Sequence, residues 1–237
     1  QMCIRDRKIT VERLSDIFLE LQDKCANNIN LVTATHFVPQ VAEALIKAKN
    51  KGLVIPVVYN SSAYENVSTL NMLDGLVDVY LPDMKYIDSR LSAEYSKAPD
   101  YADVAKAAIH EMVRQTGKPE FFIVDDELVK SGRVEAGIMK KGVIVRHLVL
   151  PGTTKDSKAV IKYLIDTYGD DIYISIMSQY TPFERLKKHP LLSRKVTRKE
   201  YNSVVDYAID CGINNGFIQE GDVAEESFIP EFDYEGI

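Results

Sequence analysis

Apolar positions along this chain follow two alternating rhythms, one of the α-helix and one of the buried β-strand. Val11, Leu14, Ile17, Phe18 and Leu21 lie on one stripe of an amphipathic helix. Asn28 to Val32 then reads as a strand. Pro39 to Asn50 returns to helical spacing through Val41, Leu45 and Ala48, with Pro39 near its start and Gly52 just past its end. Leu53 to Tyr59 is a second strand, Ser68 to Leu73 a short helix, and Val77 to Leu81 a third strand that Pro82 ends. Asp100 is placed to cap a helix running to Thr116, with Val104, Ala108, Met112 and Val113 facing inward and Gly117 and Pro119 as stops. Phe121 to Gly142 is less regular and suggests a hairpin excursion. Val143 to Leu150 is a fourth, strongly apolar strand, and Asp156 starts a helix whose buried face is Val160, Ile161, Leu164, Ile165 and Tyr168. Ile172 to Met177 is a fifth strand. Thr197 and Glu200 form a capping box before a helix to Cys211 that Gly212 ends.

Strands that are nearly all apolar, separated by helices, imply a parallel sheet covered on its faces. No fixed-period repeat or low-complexity linker interrupts the pattern, and 237 residues suit one domain of this kind. An open doubly wound sheet and a β/α barrel both satisfy it. In either, the site lies beyond the carboxyl ends of the strands.

Those ends carry the polar residues. Thr33, Thr35 and His36 follow the first strand; Asn60, Ser61 and Ser62 the second; Asp83 and Lys85 the third; Ser178, Gln179 and Tyr180 the fifth. Such residues also favour ordinary turns, but different polar groups delivered from separate strands to one mouth are the mark of an enzyme site. Asp83 and Lys85 are two apart on an extended segment, so both project to the same side, as a substrate-positioning pair or a plain ion pair. Arg146 sits inside an apolar strand, where its charge must find a partner. It alternates with Leu148 and Leu150 and faces either the lumen, where it suits a carboxylate, or the covering helices, where it pairs with Asp or Glu. His36 and His147 fit satisfied turn or core histidines better than ligands. There is no nucleophile elbow, phosphate-binding loop, dinucleotide fingerprint or paired-His metal motif.

Charge and cysteine usage narrow the class. A net charge of −6 argues against nucleic acid, and the densest basic stretch, Lys187 to Lys199, is interrupted by Pro190 and two leucines. No apolar run approaches a membrane span and no signal peptide is visible, which points to a cytoplasmic protein. Cys3, Cys25 and Cys211 lie too far apart for usual metal-ligand spacing and suggest reduced thiols. Gln1 to Arg7 continues no element and resembles a translated sequencing adapter, so residues 1–7 are set apart from one domain over 8–237 that ends in a C-terminal extension.

The segments NINLVTATHF, IPVVYNSSAYE, VDVYLPDMKY, YSKAPDY, VRHLVLPG and MSQYTP occur in that order. Together they closely resemble radical SAM proteins related to pyruvate formate-lyase activating enzyme, over Lys8 to Ile237. The resemblance implies a partial (β/α)6 TIM-like barrel holding S-adenosylmethionine on a [4Fe–4S] cluster, whose reductive cleavage yields a 5′-deoxyadenosyl radical for hydrogen abstraction. It implies an electron donor and a protein substrate such as a glycyl radical enzyme. It places Asp83 and Lys85, matched as Asp-x-Lys, at the methionine part of the cofactor, with Arg146 and Asn60 beside them. Thr33 and Thr35 stand where the family has Gly-Gly-Glu, and Gln179 and Tyr180 fall near a site histidine that is lacking here. The family's Cys-x3-Cys-x2-Cys loop does not occur in these 237 residues. The expectation is a barrel missing its N-terminal strand and cluster loop, binding no cluster and inactive as it stands. Two other readings remain: a redox-free barrel lyase or hydrolase using Lys85 beside Asp83, and a degenerate barrel that only binds.

Overall fold

The structure, a computed structural model, describes residues 8–122, 137–183 and 186–218. The elements in chain order are α1 (Val11–Asp23), β1 (Ile29–Val32), α2 (Val38–Asn50), β2 (Val57–Ser61), α3 (Val67–Leu70), β3 (Val79–Pro82), α4 (Ser89–Ser96), α5 (Tyr101–Thr116), β4 (Glu120–Phe121), β5 (Met139–Leu148), α6 (Thr154–Tyr168), β6 (Tyr173–Met177), α7 (Arg198–Asp210) and β7 (Gly216–Ile218). The strands β1-β2-β3-β5-β6-β7 lie side by side in that order, and every pairing along the path is parallel. β4 adds to β5 in the antiparallel sense. The path from β1 to β7 does not close by hydrogen bonds among the described residues, so the architecture is a partial TIM-like barrel. Among the described residues no helix is long and apolar enough to cross a membrane.

The core lies between the strands and the helices. On β5 the positions Val143, Val145 and His147 are buried, and Ile174 and Ile176 on β6 do the same. The alternate positions, Ile144, Arg146 and Leu148, are only partly covered. A period of two therefore sorts the strands into a sealed helix-facing side and an accessible lumen side. At the edge strand β1 the lumen side is open, and Val32 is 63% exposed.

Several expected boundaries shift for identifiable reasons. The second strand begins at Val57 instead of Leu53: the amides of Val54 and Ile55 bond the side chain of Gln22 on α1, and Pro56 has no N–H to offer a ladder. Val77 still belongs to the preceding turn, bonding Leu73 O, and the third strand starts at Val79. Pro82 does not end that ladder, which continues as Asp83 N donates to Ser61 O and Met84 N to Arg146 O. The α1 stripe turns away before Leu21, which is exposed, while Ser15 and Phe18 are buried. Cys25 lies past the end of α1 in a left-handed conformation. Asp100 occupies the N-cap of α5, yet its carboxylate accepts from Tyr64 and not from the helix. α6 begins at Thr154, and Asp156 in its first turn accepts from Ile87 N and Asp88 N, tying the β3–α4 loop to α6. The Thr197/Glu200 capping box is present as expected. Of the segment 121–142, the ends pair antiparallel through Phe121 and Met139, while 123–136 lies outside the described residues.

Candidate functional site at the barrel mouth

The carboxyl ends of β2, β3 and β5 bring four charged or polar side chains, Asn60, Asp83, Lys85 and Arg146, into one network. Arg146 faces the lumen, with Leu148 and Leu150 on the same side, which settles its direction. Its Nη2 donates to Asn60 Oδ1 at 2.6 Å and stands 2.7 Å from Asp83 Oδ1. Lys85 Nζ is 3.7 Å from Asp83 Oδ2, so Asp83 lies between two cations. The side chains of Arg146 and Asp83 are 26% and 21% exposed. The Arg146–Asp83 contact is an ion pair and not an aligned hydrogen bond: Asp83 Oδ1 and Arg146 Nε are buried without hydrogen-bond partners. A buried polar atom without a hydrogen-bond partner costs stability unless an ion pair, water or ligand offsets it.

Asp83, Lys85, Arg146 and Gln179 line one cavity of about 870 Å³. This is the size range of small-molecule sites. Its outer wall comes from the β3–α4 loop, α4 and the segment after β6, through Tyr86, Tyr95, Tyr180 and His189. Tyr180 fastens that segment by donating to Leu192 O at 2.7 Å. His189 Nδ1 accepts from Leu191 N and Leu192 N, which puts the ring proton on Nε2, 3.3 Å from Glu94 Oε1 on α4. The His189 ring also meets Tyr95 edge-on, with centroids 5.6 Å apart.

Four of the seven residues expected at a cofactor, Asn60, Asp83, Lys85 and Arg146, thus join directly, and Gln179 lines the same cavity. Thr33 and Thr35 are placed elsewhere. Thr33 is exposed in a left-handed conformation and contributes its backbone amide to Asn60 O. Thr35 donates to Glu65 Oε1 at 2.7 Å, and Tyr59 donates to the same oxygen at 3.1 Å. Glu65 is itself buried, with Oε2 unbonded. Lys85 is 41% exposed and ion-paired, which is not the desolvated amine that Schiff-base chemistry favours. The wall residues on α4 escaped the sequence reading, although Asp88 followed by Leu91 and Tyr95 carries a capping and apolar signal, and Asp88 does accept from Arg90 N.

A partial TIM-like barrel with a charged constellation at the carboxyl ends of neighbouring strands is the class that fold and site define. No family model matches the chain. An uncharacterised protein of Methanocaldococcus jannaschii is 29% identical over 154 residues, covering 65% of this chain and 38% of that protein. The chain thus spans about two fifths of the length of the curated relative it matches. Among solved structures, a domain of pyruvate-formate lyase-activating enzyme from Bacteroides vulgatus superimposes on 81% of this chain and 98% of its own, with a TM-score of 0.51 and 11% identity. That likeness is one of fold. The catalytic domain of a chitinase from Pyrococcus furiosus covers 87% of this chain and 69% of its own at a TM-score of only 0.45 and 10% identity.

Proposed function

We propose that this chain is the S-adenosylmethionine-binding barrel of a radical SAM protein related to pyruvate formate-lyase activating enzyme. The observation that carries the reading is the Asn60–Arg146–Asp83–Lys85 network at the mouth. An α-amino acid end needs a cation for its carboxylate and an anion for its ammonium within one small site. Arg146 offers a planar fork to the carboxylate, with Lys85 as a second cation. Asp83 takes the ammonium. Asn60 and Asp83 both hold the guanidinium through Nη2. The aromatic outer wall leaves room for the rest of the ligand. The ordered sequence motifs and the fold shared with the activating-enzyme domain support the same reading.

The iron–sulfur cluster that such proteins use does not fit the described residues of this chain. Cys25 is exposed beyond α1 and Cys211 caps α7. Among the described residues no group of three or more His, Cys, Asp or Glu is arranged to hold a metal. These residues are therefore assigned binding and orientation of S-adenosylmethionine, and neither electron transfer nor hydrogen abstraction. A protein substrate, such as a glycyl radical enzyme, and an electron donor belong to the same proposal for the complete protein.

The test is ligand selectivity. The chain is titrated calorimetrically with S-adenosylmethionine, its decarboxylated form and methylthioadenosine. Binding of the first, with affinity lost by about tenfold or more on removing the carboxylate, is expected if Arg146 grips it. Equal affinity for all three would refute an amino-acid site.

A further inference from the structure

Asp83 and Lys85 can act as a pair only if the irregular backbone between them is fixed. We propose that Tyr101 and His147, which do not line the cavity, are positioning residues that clamp the Asp83–Met84–Lys85 element in its binding geometry. The inference rests on the mouth being an S-adenosylmethionine site only in its consequence for affinity; the clamp itself is independent of the ligand.

The backbone groups of this element account for the clamp one by one. Asp83 N and Met84 N continue the sheet, donating to Ser61 O and Arg146 O, each at 2.9 Å. The next groups have no strand to pair with. Asp83 O lies 2.6 Å from the Tyr101 hydroxyl, and Lys85 N donates to that same oxygen at 3.0 Å. Ser62 O, at the end of β2, is 2.9 Å away. A hydroxyl has one proton, so it donates to one carbonyl, and Asp83 O is the nearer; its lone pairs take Lys85 N–H. Met84 O is 2.7 Å from His147 Nδ1. A carbonyl only accepts, so Nδ1 carries the proton. Burial pushes the His147 pKa down, which keeps the ring neutral.

Both residues are buried, Tyr101 at the start of α5 and His147 on the helix-facing side of β5. Met84 is buried, while Asp83 and Lys85 on either side of it line the cavity. Alternation along this extended element accounts for Asp83 and Lys85 sharing the cavity side, with Met84 between them off it. Tyr101 is further set by its ring, stacked on Tyr64 at 6.0 Å and edge-on to Tyr86 at 5.6 Å.

Tyr101→Phe keeps those ring contacts and removes the hydroxyl. Tyr80→Phe is the control: it removes a buried hydroxyl that bonds Gln115, away from the mouth. In the ligand-free chain, exchange of the Lys85 amide should quicken by about tenfold in Tyr101→Phe and stay as in the wild type in Tyr80→Phe. Affinity for S-adenosylmethionine should fall by about tenfold in the first variant only. His147→Asn, whose amide nitrogen takes the place of Nδ1, should bind nearly as the wild type, and His147→Leu should weaken like Tyr101→Phe. Wild-type Lys85 exchange in folded Tyr101→Phe, or no difference between His147→Asn and His147→Leu, would overturn the clamp. If the wild type binds no S-adenosylmethionine, the functional reading falls, and Lys85 exchange alone still decides the clamp.

Discussion

Arg146 and Asp83 stand 2.7 Å apart across two neighbouring strands, at the point where the β3–β5 ladder gives way to the mouth of the barrel. Asn60, one strand further along, binds the same guanidinium nitrogen. The pair is only partly screened by water, so removing one member leaves the other charged and short of a partner. Arg146→Ala should destabilise the chain by about 1–3 kcal/mol, less than a fully buried pair would. Adding Asp83→Asn should restore part of that loss. Urea denaturation of the two single variants and the double variant measures this, and strict additivity would show that the contact contributes nothing.

Thr35 separates a cofactor contact from a structural one. Its hydroxyl is engaged by buried Glu65, which it shares with Tyr59. Thr35→Val should cost about 1–2 kcal/mol of stability, because Glu65 loses a donor in a buried setting. Affinity for S-adenosylmethionine should not change. A loss of binding without a loss of stability would return Thr35 to the site.

Glu200 makes acid stability a readable property of the β5–α6 turn. Its carboxylate accepts from Gly152 N, Thr197 N and both terminal nitrogens of Arg194, the first and last at 2.7 Å. The Arg194 guanidinium beside it, reinforced by the backbone donors, holds its pKa well below the usual carboxylate range. A depressed pKa stabilises the fold above the unfolded value and loses that contribution as pH falls through the folded one. Between about pH 5 and pH 2, Glu200→Gln should therefore lose less stability than the wild type, while being about 1–3 kcal/mol less stable at neutral pH. Thermal melts across that range give the comparison.

Gly152 shows why the same turn is strict. Its φ is +76°, and a Cβ there would sit 2.8 Å from Leu191 Cδ2, in the segment that walls the cavity. Gly152→Ala combines a left-handed penalty of about 1 kcal/mol with displacement of Leu191. Lower thermal stability and a weaker ligand affinity together are the expected outcome. An unchanged melting temperature would mean the turn relaxes freely.

Much of the barrel was legible because its physics is local. The α6 stripe, the α7 capping box and the apolar run of β5 each specify their element within a few residues. What failed depended on partners far along the chain. Nothing near Leu53 announces that Gln22 takes the amides before β2, and nothing near Asp100 announces Tyr64. Arg146 illustrates the boundary: alternation limits it to two directions, and only the packed sheet shows that it faces the lumen and also pairs with Asp83. Tyr101 and His147 were invisible as site residues because they act on backbone, through carbonyls and amides that carry no side-chain signature.

Equilibrium dialysis of the chain against S-adenosylmethionine, in parallel with Arg146→Ala and Asp83→Asn, tests the central claim most directly. Saturable binding by the wild type, weakened about tenfold or more in each folded variant, is the predicted result. Absence of binding to the folded wild type, or binding that both variants retain in full, would contradict an S-adenosylmethionine site at the barrel mouth.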